Sequence, residues 1–529
     1  MRDLQLPGRS VVHAANGAAA TSHPLATLTA IEILKQGGSA ADAAVAACAV
    51  QCVVEPMSTG IGGDCFVLYS PKGSGAIEGL NASGRSPAAL TADHLLAQGI
   101  RKIDLQSPHS VTVPGAIDGW ARLLERHGRL GLAAVLQPAI KYAEEGFALT
   151  PRVAFDWGRN VAKLQADASA AAKYLPGGRA PQVGDIHRLP ELATTLKEVA
   201  TKGPDGFYRG WIAEDIVAHL RSKGGTHTVE DFAAVKADWV TPISTEYRGR
   251  QILQIPPNGQ GITALLMLNI LKGMDLAGLD PFGAKRLHLE AEATRLAFSA
   301  RDRFVADPQH EPVPVEKLLS QSYADELRAK IDPARAMADD AASALPIYRD
   351  TIYLSVVDRD RNVCSFINSL YFGFGSGLCS PRSGVMLQNR GAGFRVEPGH
   401  PNCVAPRKRP LHTIIPGMAL QGGRPVLSYG VMGGNYQPVG HVHVLTNLFD
   451  FGMDIQEAID CARAFHVAGK LEVENGVSHA VAQQLAAMGH VIGRPEMPWG
   501  GGQGIAIDWQ KGTLAAGSDP RKDGLALGY

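Results

Sequence analysis

Cysteine is scarce in this chain: seven in 529 residues, an odd number, with no CxxC or other zinc-like spacing. A disulfide framework or a structural metal is therefore not expected, and the thiols read as reduced core residues. An excess of one charge is equally lacking. Fifty-one basic residues balance fifty-one acidic ones, which leaves no electrostatic footprint for nucleic acid or an anionic membrane and makes a small molecule the better default partner. Long apolar runs are missing too. Met1 to Pro7 carries none, and the most apolar stretch, Ala40 to Val54, contains Asp42 and Gln51; a soluble, cytoplasmic protein is expected. No internal repeat or phosphate-cradling motif stands out, and no cofactor is expected.

What is present is enough apolar residue, 45% of the chain, to bury a large core. At this length a single simple domain would be unusual, although an intimately packed two-part body would serve. Leu25 to Gln36 has a helical pattern, and Ser39 with Asp42 forms a helix-start signal for a second helix reaching about Val53. Glu55-Pro56 stops it, and the turn Ser58 to Asp64 leads into a strand, Cys65 to Tyr69. From Ala116 to Lys330 helical patterns dominate, with a cap at Thr228 to Asp231 and a long amphipathic helix from His288 to Arg303. Asp332 to Asp350 loses periodicity and reads as an exposed linker suited to cleavage.

Beyond the linker the pattern changes to closely spaced strands at Thr351 to Val357, Val363 to Ile367, Gly384 to Leu387 and Pro425 to Gly430. Helices follow at Val439 to Phe451 and Ile455 to Phe465, then a strand at Gly504 to Asp508. Such an order suits sheets enclosed by helical layers.

Thr351 heads the first of these strands, directly after the linker. A chain cut before it would carry a hydroxyl and a free α-amine on one residue. A hydroxyl is a weak nucleophile until a neighbouring base takes its proton, and that amine can be the base. Taken alone, a threonine at a strand start is common.

Its surroundings are more specific. The series Ser355 to Asp358, Asn362, Phe374 to Gly377, Gly384 to Asn389, Arg409-Pro410-Leu411 and Gly433-Gly434 resembles, in order and spacing, the small subunit of the γ-glutamyltransferase family. Gly37 to Val45 and Glu55 to Gly63 resemble its large subunit, so the likeness covers nearly the whole chain. It implies an α+β fold, the αββα four-layer sandwich of N-terminal-nucleophile hydrolases, with a helical portion in the large subunit. It also implies a proenzyme that cuts itself into residues 1–350 and 351–529, two subunits of one precursor; a homo-oligomer is compatible with it. Carried over by position, Thr351 is the nucleophile, Ser369 stands where a supporting threonine is usual, Gly433 and Gly434 supply oxyanion donors, and Arg85 holds a substrate carboxylate.

Departures from the family pattern bear on substrate. Tyr371 stands at an asparagine position, Arg390 at an acidic or amide position, Gly393 where an aspartate grips the substrate ammonium, and His412-Thr413 at a serine pair. A substrate ammonium would lose its counter-charge and meet Arg390, so an acyl group with a carboxylate and no amine fits better. The pattern is closer to members that act as oxamate amidohydrolases or glutaryl-type cephalosporin acylases. A true γ-glutamyltransferase, and an unprocessed binding protein that kept the fold and lost the chemistry, stand as alternatives. His441 and His443, two apart in a helical stretch, do not share a face and read as core or surface histidines, with no metal expected. Trp499 to Gly504 reads as a flexible turn before a strand.

Overall fold

Residues Ile352–Val357 pair antiparallel with Val363–Ser369, in a register that sets Ile352 against Asn368 and Ser355 against Ser365. Every residue of both strands is buried, which requires that each face of their sheet be covered. The computed structural model, which describes residue 5 and residues 8–338 and 350–529, shows how. This pair is central in a seven-stranded antiparallel sheet ordered Leu525–Gly528, Ala18–Thr21, Ile352–Val357, Val363–Ser369, Asp64–Ser70, Glu78–Ala82, Asp238–Val240. A second antiparallel sheet of seven strands runs Val12–Ala14, Thr513–Ser518, Gly501–Asp508, Arg424–Met432, Gly417–Gln421, Arg250–Gln254, Ile243–Tyr247. Both sheets draw strands from before and after residue 350.

The sheets face each other across a core that includes Phe66, Tyr353, Ile367, Met418 and Ile505. Helix Ala40–Val54 covers the first sheet with all its residues buried; its many alanines let helix and sheet approach closely. Ser39 and Asp42 close a capping box at its start, as the sequence predicts. Helices Gly261–Leu271 and Gln437–Phe449 cover the second sheet through a separate apolar cluster. The result is a four-layer αββα sandwich.

Several sequence expectations need correction. Gly384 to Leu387 is no strand: it makes single bridges, Cys379 to Met386 and Gly62 to Leu387, because Ser380 and Ser383, held by Asp215, fold the segment back. The helix from Ile455 ends at Asp460, and Ala464–Val467 is a strand paired with Lys470–Val473. Buried Arg463, bound to Asp519, draws the chain out of the helix there. The largely helical region from Ala116 to Lys330 also contains strands Asp238–Val240, Ile243–Tyr247 and Arg250–Gln254, so it builds edges of both sheets. Residues 339–349 of the expected linker lie outside the described residues.

Candidate active site

Continuing the register of the central pair places Thr351 opposite Ser369, and Ser369 in turn pairs with Asp64 on the next strand. The Thr351 and Ser369 hydroxyl oxygens are 3.0 Å apart and both residues are fully buried. Ser369 Oγ also accepts the backbone N–H of Tyr371 at 2.9 Å. The Thr351 hydroxyl donates to the carbonyl of Asp350, the bond expected to be cut. Close packing holds the row in place: a Cβ on Gly63 would lie 2.2 Å from the Ser369 carbonyl oxygen.

The opposing sheet brings the glycine pair to this point. Tyr353 lies over Gly430, and Ser355 Oγ is 2.9 Å from Ser428 Oγ. The same two-residue step along both strands carries Thr351 level with Met432, one residue before Gly433. Gly433 and Gly434 have φ of 122° and 59°, a backbone that other residues adopt only with strain. A Cβ on Gly433 would sit 2.9 Å from Cα of Gly500. This corrects the reading of Trp499 to Gly504 as a flexible turn: the run is buried, Gly501 onward is strand, and its lack of side chains admits the Gly433 turn.

Four of the sequence-selected residues form one wall. The Arg390 guanidinium stacks 3.9 Å from the Tyr371 ring centroid and donates to Thr413 Oγ1 at 2.7 Å. Arg390 is fully buried, and Tyr371, at φ 84°, takes a conformation rare for a side chain of its size. A Cβ added at Gly393 would meet the Tyr371 hydroxyl at 3.8 Å, so tyrosine faces the space where the family aspartate would start. His412 Nδ1 accepts the Ile414 N–H at 3.3 Å, which leaves Nε2 to donate to Asp64 Oδ2 at 3.1 Å. Burial, aided by the Arg390 charge, lowers the His412 pKa to about 3, so the ring is neutral at ordinary pH.

Arg85 is placed differently. Its guanidinium reaches Asp307 at 3.3 Å, Gln309 at 2.9 Å and the Arg407 carbonyl at 3.1 Å, with Asp238 at 3.8 Å. It lines a 390 Å³ cleft with Ser83, Lys236 and Arg407. Its link to the Thr351–Ser369–Asp64 row runs through Gly84, whose N–H donates to Asp64 Oδ1 at 2.9 Å. Here two aspartates, not a vacant carboxylate cradle, meet the arginine.

His441 and His443 are both buried. His441 Nδ1 meets Gln254, and His443 Nδ1 is 3.0 Å from Glu290. Ligand atoms of His288, Glu292 and His490 lie within 4.8 Å of one another. However, Arg295 and the Met337 N–H already hold the two Glu292 oxygens, and the arginine charge opposes a cation there.

The Gamma-glutamyltranspeptidase family model matches residues 26–529. This chain belongs to the γ-glutamyltranspeptidase family. A Bacillus subtilis (strain 168) protein named glutathione hydrolase-like YwrD proenzyme is 38% identical over 518 residues, 96% of this chain and 97% of that one. An oxamate amidohydrolase proenzyme from Klebsiella pneumoniae (strain ATCC 700721 / MGH 78578) is 33% identical, covering 97% and 98%. The crystal structure of cephalosporin acylase from Bacillus halodurans superposes with a TM-score of 0.93 at 40% identity, covering 100% of this chain and 99% of that one. The protein is thus an enzyme of the γ-glutamyltranspeptidase family, with the N-terminal-nucleophile sandwich of its relatives.

Sequence reading missed Asp64, Gln260, Arg301 and Asn435. Asp64 directly follows the glycine loop Glu55 to Gly63 that carries the family resemblance, and ends the turn read before the strand. Gln260 and Arg301 lie far from the motifs, in a loop and a helix whose link to the site is purely tertiary.

Proposed function

We propose that the protein is a self-processing amidohydrolase or acyltransferase that cleaves a small amide bearing a carboxylate, through a threonyl acyl-enzyme. Oxamate, giving oxalate and ammonia, and glutaryl amides are the leading substrates. The observation that supports this reading most is the wall beside the nucleophile row. Arg390 and Tyr371 occupy it, and the charges of Arg390 and Arg409 act on His412 while those of Arg390 and Arg301 act on Tyr371. An anion is favoured against such a wall and a cation is not.

The chemistry follows from the same atoms. In the precursor the Thr351 hydroxyl attacks the Asp350 carbonyl carbon, the peptide nitrogen leaves as the new α-amine of Thr351, and water hydrolyses the resulting ester. The freed amine then takes the hydroxyl proton as Thr351 attacks the substrate amide; the proton passes to the departing ammonia or amine, and water or a second amine takes the acyl group. Ser369 donates to the threonine oxygen, and N–H groups at Gly433 and Gly434 receive the oxyanion. Arg85 enters this scheme as a carboxylate contact only if substrate displaces Asp307 or Gln309.

The γ-glutamyl reading has support of its own: the Bacillus subtilis relative is named glutathione hydrolase-like, and a carboxylate, that of Asp302, acts on Tyr371. Arg301 Nε already holds that carboxylate at 2.8 Å, which neutralises it as an ammonium grip. The decisive experiment compares wild type and Thr351→Ala on a denaturing gel, sequences the smaller fragment, and assays oxamate, glutaryl amides and γ-glutamyl amides. The fragment should begin Thr-Ile-Tyr-Leu-Ser. An active, uncut wild type would sink the mechanism, and preferential turnover of γ-glutamyl amides would sink the substrate reading.

A further inference from the structure

Gln260 sits in the loop between strand Arg250–Gln254 and helix Gly261–Leu271, fully buried and far in sequence from every motif above. Its backbone N–H donates to the His412 carbonyl at 2.8 Å. Its side-chain Nε2 donates twice, to the Thr413 carbonyl at 2.7 Å and to the Gly434 carbonyl at 2.9 Å. One amide group therefore ties the Arg390–Thr413 wall to the glycine turn on the other side of the site.

Its orientation is not left to chance. Gln260 Oε1 accepts from Arg301 Nη1 at 2.8 Å, and the same nitrogen reaches Asn435 Oδ1 at 3.2 Å. A guanidinium only donates, so the amide oxygen must face it and the NH₂ must face the two carbonyls. Arg301 is itself fully buried, stacked 4.2 Å from the Phe298 ring centroid and bound to Asp302. Both residues lie before residue 350, whereas the three carbonyls that Gln260 holds, and the Asn435 Oδ1 that Arg301 reaches, lie after it.

We propose that Gln260 and Arg301 are a positioning pair that fixes the distance between the carboxylate-facing wall and the Gly433–Gly434 turn, and so aims the oxyanion donors at the bound amide. This rests on the reading of that turn as the oxyanion site. The pair touches no reacting atom; by holding the Gly434 carbonyl it anchors the peptide plane that directly follows the two N–H groups. A geometry that matters in the transition state and little in the ground state should show in kcat rather than KM.

The test uses Gln260→Glu and Gln260→Met in the full-length protein, with Arg301→Lys as a milder third variant. Glutamate keeps the volume and the Arg301 contact but sets a carboxylate oxygen against two carbonyls; methionine removes the donors without that repulsion. The processing rate, the melting temperature, and kcat and KM per processed enzyme are measured together. The expected result is a fall of about 10- to 100-fold in kcat or in processing rate for both Gln260 variants, from two lost buried hydrogen bonds. Glutamate should be the worse, with KM changed less than about threefold, and Arg301→Lys should fall between wild type and methionine. Normal kcat and processing in either Gln260 variant overturns the proposal, as does a loss that tracks the melting temperature alone. If Gly433→Ala turns over the amide as fast as wild type, the oxyanion reading beneath the proposal fails instead, and the two failures are told apart.

Discussion

Ser369 Oγ stands 3.0 Å from Thr351 Oγ1 while accepting the Tyr371 N–H, so the serine's own proton is left to point at the threonine oxygen. The Thr351 hydroxyl is meanwhile turned to the Asp350 carbonyl. Removing the serine hydroxyl takes away the partner of Thr351 Oγ1 and strands the buried Tyr371 N–H. We expect Ser369→Ala to slow processing and turnover by about 10- to 100-fold, in line with the cost of about 1–3 kcal/mol for leaving a buried donor unsatisfied. Ser369→Thr should restore most of it. Time courses of precursor cleavage, followed by steady-state kinetics, decide the matter; an alanine variant with wild-type rates would remove Ser369 from the site.

Gly433 tolerates no side chain. Its φ of 122° and the 2.9 Å approach of Gly500 Cα mean that Gly433→Ala must shift backbone, not merely a flexible side chain. A displaced oxyanion donor typically costs about 2.7–4 kcal/mol of barrier. Turnover should drop by roughly two to three orders of magnitude with KM little changed. Equal activity in the purified variant would argue that this turn is structural only.

Substitutions at Arg390 and Gly393 should both move specificity away from oxamate and glutaryl amides. Arg390→Met keeps bulk against Tyr371 but removes the charge and the Thr413 bond, so KM for carboxylate-bearing amides should rise by about 10- to 100-fold. Gly393→Asp has room for its Cβ, 3.6 Å from the Leu411 carbonyl oxygen and 3.8 Å from the Tyr371 hydroxyl. Its carboxylate would lower kcat/KM for oxamate or glutaryl amides and raise it for γ-glutamyl amides. Competition between the two substrate classes measures the ratio directly, and an unchanged ratio in both variants would clear these residues of any role in selection.

Glu55 gives the stability a pH signature. Burial raises its pKa from 4.5 to about 7, against hydrogen bonds from Ser22 and Gln51 that pull the other way. A carboxyl that holds its proton more tightly when folded contributes fully below pH 4.5, and that contribution is lost as pH rises through about 7. The loss is of order 3 kcal/mol at most. Glu55→Gln cannot ionise, so its melting temperature relative to wild type should be higher at pH 8 than at pH 4.5. An equal difference at both values would mean the carboxyl is not held neutral.

Much of the fold was legible because its signals are local. Ser39 and Asp42 announce a helix by capping chemistry, and the alternating residues after Thr351 announce a strand. Ile455 to Phe465 misled because helical periodicity continues past Asp460, while the Arg463–Asp519 pair that ends the helix is formed across 56 residues. At the site, Ser369, Tyr371 and Arg390 could be picked out by their ungapped spacing from Thr351, and His412 and Thr413 by the adjoining Arg409-Pro410-Leu411. Arg85 was placed by motif as a carboxylate clamp, but the aspartates it meets arrive from Asp238 and Asp307, which no local pattern connects to it. Gln260 and Arg301 were invisible for the same reason.

The interleaving of strands from both sides of residue 350 in each seven-stranded sheet has a thermodynamic consequence. With the Asp350–Thr351 bond cut as proposed, neither fragment would own a complete sheet, so separation of the two would itself be unfolding. A first-order transition in the precursor becomes second-order in the mature protein, whose melting point should then climb with protein concentration while that of Thr351→Ala stays fixed.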